Sequence, residues 1–175
     1  MTCRSLLVLV LVLFAALPGR TMIETLPIPQ LVRESELIVL GEVERQTDLP
    51  GLAPTGDEKK PTHATGAPRA LPRVESVVKP VRVLKGKVQP GQQLTFVTLG
   101  AVSGQPWFED EPRFPPVGRR VLLFLRNGKS GLEPVNLIQG VWPLDPSHQK
   151  LQGMGFGYSL EDIATEIRSQ RQGGK

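Results

Sequence analysis

The sequence predicts a mainly β (α+β) domain of five or six short strands closed into a barrel or stacked as a sandwich. A short helix precedes the strands and a terminal helix packs on them. Three observations carry this. Apolar stretches of strand length recur between corners rich in Gly and Pro. The run Val121-Leu122-Leu123-Phe124-Leu125, between Arg120 and Arg126, is apolar on both faces, as a central strand requires. Near the end, Leu160, Ile163, Ala164 and Ile167 fall at i, i+3, i+4 and i+7, one stripe of a helix.

The chain opens with Arg4 and an apolar run from Leu6 to Leu17. As a helix these residues reach about 18 Å at ~1.5 Å each, short of a bilayer core of about 30 Å. Pro18-Gly19 then breaks the run. A positive start, a short apolar centre and a small-residue end make a secretory signal peptide, residues 1–19. The expected mature domain is 23–172, secreted or periplasmic, with no membrane span once the signal is removed. Cys3 is the single cysteine and leaves with the signal, so the mature chain has neither disulfides nor thiol chemistry. Export without disulfides points to a bacterial protein.

Pro27 and Pro29 introduce a helical stretch at residues 30–35, where first-turn N–H groups lack partners anyway. Residues 37–44 begin apolar on both faces and then alternate, a strand leaving the core. Residues 48–72 hold five prolines (50, 54, 61, 68 and 72) and little bulky apolar matter. They predict a long flexible loop inserted between two strands. The next strand, 74–84, places Val77, Val81 and Val83 on one face, and Pro80 inside it demands an edge position or a bulge. Residues 94–99 form a strand with Leu94 and Phe96 on one side. A second long loop, 100–118, leads into the strand around Leu123. Asn127-Gly128 marks a turn. Residues 135–142 and 150–158 predict two further strands around Asp145-Pro146-Ser147. Ser159 and Asp162 frame the terminal helix as N-cap and N3.

The formal net charge is +4, unevenly placed. Residues 59–87 carry eight Lys/Arg against Glu75 alone, +7, while residues 20–58 carry three basic and eight acidic groups, −5. The basic block is either the solvated outer face of a strand with its linker or a contact for an anionic partner. Nucleic acid is not an expected ligand.

Catalytic chemistry is sparse. His63 and His148 lie in polar loops beside no Ser–Asp arrangement, and no His/Cys/carboxylate spacing matches a metal site. No catalytic residue, metal or cofactor is assigned. Gly153-Met154-Gly155-Phe156-Gly157 fails as a dinucleotide fingerprint: Tyr158 stands where the third glycine belongs, and too few residues follow for a βαβ unit. Glu109-Asp110-Glu111 reads as a solvated turn before Pro112 rather than a calcium site. Trp107 and Phe108, adjacent aromatics in a long loop, are the candidate binding residues, as a docking platform or as a plug for the end of a barrel.

Four stretches taken in order carry a resemblance: residues 36–43, Val83-Leu84-Lys85-Gly86-Lys87, the stretch from Val117-Gly118 to Leu125, and Gln139-Gly140. They resemble a group of uncharacterised bacterial exported proteins similar to single OB-type barrels of the tissue-inhibitor-of-metalloproteinases/netrin kind. The resemblance implies an OB-like barrel with a helix packed on it. Such inhibitors chelate the target's zinc through an N-terminal cysteine, which this mature chain lacks, so the motifs argue for fold and not activity. The expected function is a non-enzymatic exported binding module whose partner is another exported or cell-surface protein. A cysteine-free protease inhibitor acting through the Trp107 loop is the alternative, and a carboxylate-dependent hydrolase the third.

Overall fold

The computed structural model describes residues 25–52, 71–102, 111–129, 131–148 and 150–173. The expected signal segment 1–19 and the centre of the expected loop, 53–70, lie outside them.

Helix α1, Ile28–Glu34, starts after Pro27 in extended geometry with a proline in its first turn. Ser35 ends it, its Oγ donating to Leu31 O at 2.6 Å. The helix buries Leu31 and Val32. Six strands follow among the described residues: β1 Leu37–Leu52, β2 Leu71–Lys85, β3 Leu94–Leu99, β4 Arg120–Gly128, β5 Gly131–Pro134 and β6 Val141–Pro143. All pairs are antiparallel, in the order β3-β2-β1-β4-β5, with β6 also on β4. Helix α2, Leu160–Gly173, closes the chain. The mainly β fold with two helices is as the sequence predicts. Among the described residues, however, the sheet is open: β3 does not pair with β5 or β6.

β4 is the centre. Residues 121 to 125 are all fully buried, and alternation sends them to opposite faces. Leu122 and Phe124 join Ile38 and Leu40 of β1, Trp142, and Ile163 and Ile167 of α2 in one core, capped by α1. Val121, Leu123 and Leu125 join Val39 and Val43 of β1, Val78 of β2, and Leu94 and Phe96 of β3 in a second core. Phe114 covers that core by stacking on Phe96 at 5.1 Å. Each such apolar side chain contributes roughly 1.5–3 kcal/mol on burial.

Three corrections to the sequence reading have physical causes. Val81 (47 % exposed) and Val83 (39 %) do not share the buried face of Val77. Leu40 pairs with Arg82 and Gly41 with Pro80, so Val81 has no partner; Ile38 pairs with Lys85 and Val39 with Val83, so Leu84 has none. Each extra residue resets the alternation. Pro80 sits beside the first bulge, as a proline in a strand requires. Second, pairing continues through the ends of the expected 48–72 loop: Asp48 pairs with Val74, Leu49 with Arg73 and Leu52 with Leu71. Third, residues 135–142 and 150–158 are not two long strands. The first holds a 3-10 turn, Leu137–Gly140, before the short β6. The second makes two isolated bridges, Leu144 with Leu151 and Lys150 with Ser159, around a 3-10 turn at Gly153–Gly155. Gly153 (φ 62°) and Gly157 (φ 91°) take left-handed conformations that interrupt any strand.

Candidate functional site

Among the described residues β3 pairs only with residues 73–78 of β2. Beyond Val78, β2 runs on to Lys85 against β1 alone, and its other edge carries no strand among the described residues. The chain leaves β2 through Gly86 (φ 82°) and turns at residues 89–92, where Gln92 N donates to Gln89 O at 3.0 Å. It rejoins the sheet only at Leu94, opposite Val78. A groove of about 360 Å³ lies between the turn and the uncovered edge, lined by Glu44, residues 79–83 and residues 88–93.

The groove has an apolar strip and a charged rim. Val81 and Val83 are exposed beside Pro80, and Val88 packs against the second core from the turn. Glu44 is occupied on both oxygens: Lys79 Nζ lies 3.6 Å from Oε1, and Gln93 Nε2 donates to Oε2 at 2.5 Å. Among the described residues Arg82 has no carboxylate within ion-pair distance. With Lys85 and Lys87 following, the strip carries excess positive charge. This is the part of the basic block that the fold arranges along one edge. Unpaired strand N–H and C=O groups can take an added strand. Pro80, which lacks an N–H, limits such pairing on its own side.

The residues singled out from sequence fall elsewhere. Trp107 and Phe108 lie outside the described residues, as do His63, Glu109 and Asp110. Glu111 Oε2 accepts from Leu99 N at 3.3 Å and so ties the end of its loop to β3. His148 takes φ 59° in the turn organised by Asp145, and its N–H donates to Asp145 O at 2.9 Å. Arg120 leads β4, paired with Glu42 of β1. Among the described residues no three His, Cys, Asp or Glu side chains gather closely enough to hold a metal ion. Val81 and Val83 are the groove residues that sequence reasoning missed, because alternation set them on one strand face with Val77. Pro80, which called for a bulge, was the signal that could have exposed them.

No protein-family model matches the sequence, and no curated protein matches it. Among the described residues no helix is long and apolar enough to cross a membrane.

Proposed function

We propose that this chain is an exported, non-enzymatic binding module on an OB-type barrel of the tissue-inhibitor-of-metalloproteinases/netrin kind. It takes an extended acidic segment of another exported or cell-surface protein as an added strand along residues 79–85. The observation that carries this reading is the uncovered edge of β2, with Val81 and Val83 exposed beside an Arg82 that lacks an acidic partner among the described residues. Main-chain pairing supplies affinity in this mode, and alternate side chains supply specificity. The barrel assignment draws support from β1 pairing with both β2 and β4 and from a terminal helix packed on the sheet.

The test uses a blocked fluorescent peptide of alternating valine and glutamate, with alternating valine and lysine as its counterpart. The acidic peptide should bind saturably, the basic one should not, and Arg82→Glu should weaken the acidic one at least about tenfold. Equal binding of both peptides, or indifference to Arg82→Glu, overturns the reading. Export is tested separately: the native protein should carry a new N-terminus between about Ala16 and Met22 by mass spectrometry, and an intact Met1 on a cytosolic protein refutes it.

A further inference from the structure

A second basic feature meets that strip only at Lys85, is otherwise lined by residues of both helices, and does not depend on that reading. The end of α1, the end of β2 and the last turns of α2 enclose a pocket of about 200 Å³ lined by Val32, Arg33, Lys85, Ile167, Gln170 and Arg171. Three cations from three elements converge on it. We propose that this pocket is an anion site for a tetrahedral oxyanion, a phosphate or sulfate group.

The lining of the pocket holds no carboxylate to offset its three cations, which supports this. Arg45, Lys79, Arg126 and Arg168 each form an ion pair with a carboxylate. Arg33, Lys85 and Arg171 have no such pair among the described residues. Lys85 is fixed in place: its Nζ donates to Val32 O at 2.7 Å and to Arg33 O at 3.4 Å. The back wall is apolar, Val32 and Ile167 being buried, which strengthens charge interactions at its surface. The neighbouring acid is engaged elsewhere, since Glu36 accepts from the N–H and side-chain amide of Asn127. Gln170 is likewise committed, donating to Pro29 O at 2.6 Å and Glu166 Oε1 at 2.8 Å. Lys85 and Arg171 also repel each other: desolvation and then the charge of Arg171 hold the Lys85 pKa below its ordinary value, against a smaller opposing effect of Glu36. An oxyanion between them relieves that repulsion. A cation in the last turn of a helix complements its carbonyl end, which accounts for Arg33 and Arg171 singly but not for their lining one pocket with Lys85.

The experiment is calorimetric titration of the full chain with inorganic phosphate, glycerol phosphate and a sulfated monosaccharide, each against chloride at equal ionic strength. Saturable binding of any of them beyond chloride is expected, and the arm that binds best identifies the source of the group. Arg171→Gln and Arg33→Gln, both on exposed side chains, should each weaken it about tenfold, the usual effect of losing one charge-assisted hydrogen bond. A response no greater than that to chloride overturns the proposal, as does full affinity in a folded Arg33→Gln/Arg171→Gln double variant.

Discussion

Gly155 lies against the indole of Trp142, so closely that a Cβ at Gly155 would come within 2.5 Å of Trp142 Cε3 and 3.0 Å of Leu151 Cβ. Trp142 is fully buried, packed on Phe124 at 4.7 Å on one side and on Tyr158 at 6.1 Å on another. It therefore has no room to retreat. Gly155→Ala should destabilise by about 1–3 kcal/mol through overpacking. Gly173→Ala, where nothing stands within 4 Å, should stay within about 0.5 kcal/mol of wild type. Urea unfolding of the two variants checks both.

Leu123 is fully buried in the second core. Leu123→Ala removes that packing and leaves a cavity, at a cost of about 2–5 kcal/mol. Val97, 52 % exposed on β3, is the comparison: Val97→Ala should cost well under about 1 kcal/mol. Equal denaturation midpoints for the two would refute the central position of β4.

Ile163 is fully buried in the first core. Ile163→Asp places an unpaired carboxylate there and should lower the unfolding midpoint sharply, since burial of an unpaired charge is strongly unfavourable. Glu166 points off that stripe and bonds only Gln170 among the described residues, so Glu166→Ala should change the midpoint little. A wild-type midpoint for Ile163→Asp would mean that α2 contributes nothing to the core.

The start of α2 carries a reciprocal cap. Ser159 N and Oγ both donate to Asp162 Oδ2 at 2.7 Å, and Asp162 N donates to Ser159 Oγ at 3.2 Å. The side-chain bond from Ser159, then its backbone bond, hold the Asp162 pKa below 3.8. A carboxylate with a depressed folded pKa contributes stability that is present above its unfolded value and lost as pH falls through the folded one. The stability gap between wild type and Asp162→Asn should therefore be full at neutral pH and shrink as pH falls below 3.8. Thermal unfolding of both proteins across that range is the check, and a gap constant with pH would remove the carboxylate from the cap.

What was legible in the sequence was what is local. The strand at residues 94–99, the doubly buried run at 121–125 and the Ser159–Asp162 cap are written in consecutive residues, because alternation, two-sided burial and capping are short-range rules. What was not legible depends on partners. The faces of Val81 and Val83 follow from bulges defined only by the register of β2 against β1. The groove exists because β3 begins pairing at Val78 and no later. Arg33, Lys85 and Arg171 are far apart in sequence and meet only once α1, β2 and α2 are in place. The expected barrel rested on short strands between Gly/Pro corners and on a resemblance, and such features do not fix how the two ends of a sheet relate.

β4 belongs to both layers at once, giving Leu122 and Phe124 to one and Val121, Leu123 and Leu125 to the other. A slip of its pairing by a single position would exchange those two sets, setting Phe124 where a leucine fits and withdrawing it from Trp142. Neither layer can then be assembled, lost or redesigned while the other keeps its shape. The chain offers no autonomous half: any permuted or truncated version that folds must retain the β1–β4 pair whole, and chain breaks are tolerable only outside it.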